Sequence, residues 1–108
     1  MSQFAEFTEK IANGIIDKAR EILGEFQDQA VGDAKKFIDD TNDELQRWTK
    51  QLAKGGLTKD EFIFLVKSQK DLFDLHGLKQ AGLGLIAAQN FRDAVIDLVI
   101  NTAVDVFL

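Results

Sequence analysis

QFAEFTEKIANGIIDKAREILGEFQDQAVGDAKKFIDDTNDELQRWTKQLAK, residues 3–54, holds the pattern on which the fold depends. Phe4, Ile15, Phe26, Phe37 and Trp48 recur every 11 residues. Thr8, Ala19, Ala30, Thr41 and Leu52 keep the same interval, as do Ala12, Leu23, Ala34 and Leu45. Glu6, Asp17, Asp28, Asp39 and Lys50 form a polar row on the opposite side. Eleven residues fill three turns at about 3.67 residues per turn, so each row runs nearly parallel to a straight helix axis. The spacing predicts one amphipathic helix over about residues 3–53, ~75 Å long at 1.5 Å per residue. Thr41-Asn42-Asp43-Glu44 is a capping-box string that could restart a helix at Asn42. The row from Phe37 to Trp48 keeps phase across it, which favours continuity with at most a bend. Gly14, Gly24 and Gly32 weaken such a helix by ~1 kcal/mol each and mark bends or close packing.

The helical expectation extends to the whole chain. None of the 108 residues is proline, the residue that helix interiors tolerate least. The one clear break is Gly55-Gly56. Lys54 before it suits a helix C-terminus, and Thr58-Lys59-Asp60-Glu61 after it is a capping box. A turn over 54–58 and a helix over about 59–76 follow, the latter carrying Phe62, Leu65, Val66, Leu72 and Phe73. Gly77, Gly82 and Gly84 mark either a broken connection or close packing. A last helix is expected over about 90–107, capped by Asn90. Its polar residues Asp93, Asp97, Asn101 and Asp105 step by four, and most of its remaining girth is apolar. The fold class is therefore all-α: a single domain over 1–108 in which two or three helices fold back on the first as an αα-hairpin or small bundle.

A ~75 Å rod is too long for a compact domain of this size, whose radius of gyration is near 13 Å. Dimerisation is the expected way to complete the fold. The proposed seam is Phe4, Ile11, Ile15, Ile22, Phe26, Phe37, Leu45, Trp48 and Leu52 against Phe62, Leu65, Leu72, Phe73, Phe91, Val95, Leu98 and Val99.

Chemistry is poorly provided for. The absence of cysteine removes disulfides, thiolate metal sites and cysteine nucleophiles. His76 has Leu72 and Phe73 one turn before it and Lys79 and Gln80 one turn after, so no second ligand stands at helical spacing. Asp93, Asp97 and Asp105 read as a solvated strip, because no Glu-x-x-His motif accompanies them. The acidic run from Asp39 to Glu44 lacks the glycine and the terminal glutamate of a calcium loop. The glycines at 77, 82 and 84 match no phosphate-loop spacing. No cofactor, metal or catalytic residue is expected.

Eighteen acids against 13 bases give a net charge of −5, which disfavours nucleic acid and anionic membranes as partners. The N-terminus shows no signal-peptide pattern and no stretch is apolar enough to span a bilayer, so a cytoplasmic protein is expected. The functional expectation is a non-enzymatic helical interaction protein that associates with itself, as a dimer, or with a helix of another protein. The 11-residue interval resembles that of apolipoprotein-like helices in period alone. That supplies a second reading, an amphipathic coat on a lipid or hydrophobic granule surface.

Overall fold

The computed structural model describes residues 3–108. Helix α1 spans Gln3–Leu23 and ends in a tight 3-10 turn over Gly24–Phe26. Helix α2 (Gln27–Asp40) bends at Thr41 into α3 (Asn42–Lys54). Next come α4 (Lys59–Ser68), a 3-10 turn over Lys70–Leu72, the short α5 (His76–Gln80) and α6 (Leu85–Phe107). The first half of α1 lies along the end of α2 and the start of α3, since Phe4, Thr8 and Ala12 share a groove with Ile38, Asp39 and Asn42. The two arms thus form an αα-hairpin. Helix α6 runs antiparallel to α1: Gln3 Nε2 donates to the Val106 carbonyl at 3.2 Å, the Phe7 and Phe107 rings meet edge to face, and Gly14 sits under Leu98.

The continuous rod over 3–53 is not what forms. The molecule measures 43 × 26 × 19 Å, too short to contain it. The break falls at Gly24, whose φ of 46° lies in the left-handed region that glycine enters without a Cβ penalty. At Thr41 the helix bends without losing its ladder. The Thr41 N–H still reaches the Phe37 carbonyl at 3.0 Å, and the Leu45 N–H reaches the Thr41 carbonyl at 2.9 Å. The bend comes from the Thr41 hydroxyl, which is buried and donates to the Phe37 carbonyl at 2.8 Å. Thr41 does not act as a side-chain cap for α3.

The Gly55-Gly56 turn forms as its sequence requires. Gly55 adopts φ 82°, and the Gly56 N–H closes the helix end on the Gln51 carbonyl at 2.9 Å. Both halves of the Thr58–Glu61 capping box are present and start α4. The helix expected over 59–76 stops at Ser68 instead, and residues 73–75 lead into α5. The last helix starts five residues before Asn90, at Leu85. Extended Gly84 precedes it, and Asn90 lies exposed inside the helix. Most of the girth of α6 is covered, with Ala88, Phe91, Val95, Ile96, Val99, Ile100, Thr102 and Ala103 buried, while Asp93, Asp97, Asn101 and Asp105 stay exposed.

Not every glycine has a structural duty. Gly32 is exposed within α2, and a Cβ there would meet nothing within 4 Å. Gly32→Ala is expected to raise stability by about 0.5–1 kcal/mol, read as a higher denaturation midpoint at unchanged slope.

Candidate functional site

The seam residues are spent inside one chain. Ile15, Phe37, Trp48, Phe62, Phe73, Phe91, Val95 and Val99 are buried in the chain's own core, and Phe4, Phe26, Leu65 and Leu98 pack against it. Phe73 links the halves, with its ring 4.9 Å from Phe37 and 6.5 Å from Phe91. Two further members of the expected contact, Ile22 and Leu72, are exposed. Phe7, absent from the 11-residue rows, is fully buried.

The side-chain clamp between α2 and α5 is the most specific polar arrangement. Asp33 Oδ1 accepts from the Gly77 N–H at 3.1 Å and Oδ2 from the Leu78 N–H at 2.9 Å. Asp74 Oδ1 accepts from the His76 N–H at 2.9 Å, and Asp74 Oδ2 pairs with Lys36 Nζ at 3.6 Å. Free amides at the start of a helix need such acceptors, and the sign of the helix dipole favours carboxylates there. His76 itself is exposed. Among the described residues no three of the His, Cys, Asp or Glu side chains are grouped to hold a metal ion. The clamp's carboxylates are fully occupied with backbone amides and a lysine, so the arrangement is structural.

Two carboxylates titrate below their usual range. The His76 N–H holds the Asp74 carboxyl down, with the Lys36 ammonium adding to it against partial desolvation. The Thr58 N–H holds Glu61 down, helped by the Thr58 side chain. Folding thus favours the ionised form of each. Their contribution is whole above the unfolded-state pKa and is lost as pH falls through the lowered folded value. Asp74→Asn keeps an acceptor for His76 but no charge. The wild type is expected to melt above this variant at neutral pH, with the gap closing below about pH 4. Thermal melts across that range check it, and a gap that persisted unchanged in acid would contradict the assignment.

Three surface features remain, one of them Phe64 on α4, 72% exposed in a hollow shared with Leu57 and Leu65. A groove of about 510 Å³ runs between α1 and the α2–α3 arm, floored by Phe4, Ala5, Ala12 and Ile38, with Lys35 and Asp39 on its rim. At the opposite end of the hairpin an aliphatic corner is open to solvent: Leu72 is 55% exposed, Leu85 52% and Ile86 76%. Leu72 and Leu85 border one hollow, whose charged residues are Lys70, Lys79 and Arg92 against Asp71 and Asp74. Sequence reasoning assigns Leu72 to the core because it falls on an apolar helical spacing. The signal that it does not belong there is the switch to a 3-10 turn at Lys70–Leu72, which no local motif announces. No described helix is long and apolar enough to cross a membrane. No protein-family model, curated protein or solved structure matches the chain.

Proposed function

We propose that the protein is a non-enzymatic, cytoplasmic helical association module whose first partner is a second copy of itself, docked through the Leu72–Leu85–Ile86 corner. The supporting observation is that Leu72 and Leu85, each more than half exposed, border one hollow, with exposed Ile86 next to Leu85 at the start of α6, while α6 beyond them is buried along most of its girth. Burying such side chains is favourable by about 1.5–3 kcal/mol each. The charges around the hollow favour a copy of the same chain. A net charge of −5 repels like chains in general, but this rim carries three cations beside two anions. A two-fold contact brings the same patch from each copy together, so Lys70 and Lys79 of one can face Asp71 of the other. The proposal requires no cofactor and no nucleic acid.

Light scattering after size-exclusion chromatography tests this. The wild type is expected to run at twice the monomer mass at tens of micromolar. Leu85→Glu with Ile86→Glu is expected to run as a monomer with little change in melting temperature, because both side chains are already exposed. A wild type that stays monomeric throughout would remove the proposal. The coat reading draws on the same exposed aliphatics but has lost its ladder, since Ile15, Phe37 and Trp48 point into the core. Flotation with neutral lipid vesicles tests it, and protein left in the dense fraction would dismiss it.

A further inference from the structure

The reversal between α1 and α2 rests on one residue. Gly24 has φ 46°, whereas Leu23 (φ −118°, ψ −8°), Phe26 (φ −94°, ψ 13°) and Gln27 (φ −53°, ψ −46°) all keep negative φ on the helical side of the map. Returning Gly24 to negative φ, and moving Leu23 in φ and Phe26 in ψ by about 55° to α-helical values, joins the two helices end to end. The turn spans only Gly24–Phe26, and a Cβ on Gly24 would meet nothing within 4 Å. Glycine is thus required there by its dihedral angle and not by crowding.

The sequence is also written for the joined form. Ile15, Phe26 and Phe37, and Leu23, Ala34 and Leu45, stay in phase straight through the turn. The exposed Asp17, Asp28 and Asp39 do the same on the other side. A hairpin needs no phase relation between its arms, because the turn sets their relative rotation independently. A continuous helix does need one.

We infer that α1 is an exchangeable arm: Gly24 straightens, residues 3–40 become one helix, and the α1 of each chain fills the place vacated in a second copy. This shares with the proposed function only the identity of the partner; the surfaces differ. Helix α1 buries Phe7, Ile11, Ile15, Ala19 and Leu23. An opened chain on its own would expose them all, so the open form exists only as a pair. In that pair each contact of α1 is rebuilt between chains, including Phe7 on Phe107, Gly14 under Leu98 and Gln3 on the Val106 carbonyl. Short turns that can be absorbed into a helix are the usual hinges of such exchange. The joined helix would be ~57 Å long, longer than the 43 Å axis of the monomer, so the exchanged dimer is elongated.

The test uses the absence of native cysteine. Ala12→Cys and Ile38→Cys place thiols on the two walls of the α1–α2 groove. A flexible bifunctional maleimide that spans the groove links them within one chain when the hairpin is closed and between chains when α1 is exchanged. Gly24→Ala penalises the turn and favours the joined helix, so it is expected to raise the ratio of interchain to intrachain links roughly tenfold, read as covalent dimers on a denaturing gel. Inserting three glycine or serine residues after Glu25 is expected to leave a folded chain with only intrachain links. If Gly24→Ala fails to fold, the cysteine pair on wild-type Gly24, refolded at high concentration, is expected to show interchain links. A Gly24→Ala monomer, or intrachain links alone after concentrated refolding, overturns the inference. A Gly24→Ala dimer with intrachain links also overturns it while leaving the surface-docked dimer standing. A dimer that survives in the Leu85→Glu/Ile86→Glu variant together with the interchain link would instead overturn the docking corner alone.

Discussion

Phe7→Ala is expected to lower the unfolding free energy by about 3–5 kcal/mol, and Phe4→Ala by only about 1–2 kcal/mol. Phe7 is fully buried, with its ring 5.5 Å from Phe107 edge to face and 5.7 Å from Phe4. It ties the start of α1 to the end of α6. Truncating it leaves a cavity between two long helices that are also held by Gly14 and Leu98 further along, so the walls cannot simply collapse onto it. Phe4 is only half-buried and keeps part of its surface in water either way. Against a total stability of about 5–15 kcal/mol for a domain of this kind, the Phe7 loss is large enough to move the urea midpoint well outside error. Equal losses at the two positions would mean that the 11-residue row, and not the column through Phe7, carries the core.

The contrast between Phe4 and Phe7 locates what the sequence can and cannot reveal. The buried column of α1 is Phe7, Ile11, Ile15, Ala19 and Leu23, at steps of four. The 11-residue rows describe a stripe facing one neighbour, whereas α1 lies between α2 and α6 and is buried on a face set by both. Some local signals were legible and others were not, since Asn90 does not cap the last helix and α4 stops at Ser68. The Gly55-Gly56 stop, the Thr58–Glu61 box and the acidic strip of α6 depend on residues within a turn or two of each other, and the exposed row from Glu6 to Lys50 on a repeat of three turns. The glycines show where legibility ends. Gly14, Gly24 and Gly32 look alike as interruptions of one pattern, yet one lies under Leu98, one reverses the chain and one touches nothing. The difference is tertiary. The open corner is hidden for the same reason: Leu72 and Leu85 belong to separate elements and meet only because the chain turns between them.

Asp33→Ala is expected to cost about 2–3 kcal/mol, a large effect for a partly exposed side chain. Helix α5 has five residues, too few to persist without outside help. Its first amides have no partners within the helix, and Asp33 supplies acceptors for two of them from a position 44 and 45 residues earlier in the chain. Removing the carboxylate leaves the Gly77 and Leu78 amides without those acceptors and frees the link that carries Phe73 and Leu78 into the core. Gly77 is the other half of the fit, because a Cβ there would lie 2.5 Å from Asp33 Oδ1 and 3.2 Å from its Cγ. Gly77→Ala must therefore push the carboxylate off the amides and is expected to cost nearly as much as Asp33→Ala. With Asp33 already gone, the added methyl has no carboxylate to displace. The double variant should then cost about 1–2 kcal/mol less than the sum of the singles. Amide exchange at Gly77 and Leu78 should accelerate in each single variant while α1 stays protected. Lys36→Ala serves as the control. Its pair with Asp74 is solvent-exposed, so it is expected to cost about 0–0.5 kcal/mol. Strict additivity of the Asp33 and Gly77 losses would show that the two residues act separately, and α5 would then need some other anchor on α2.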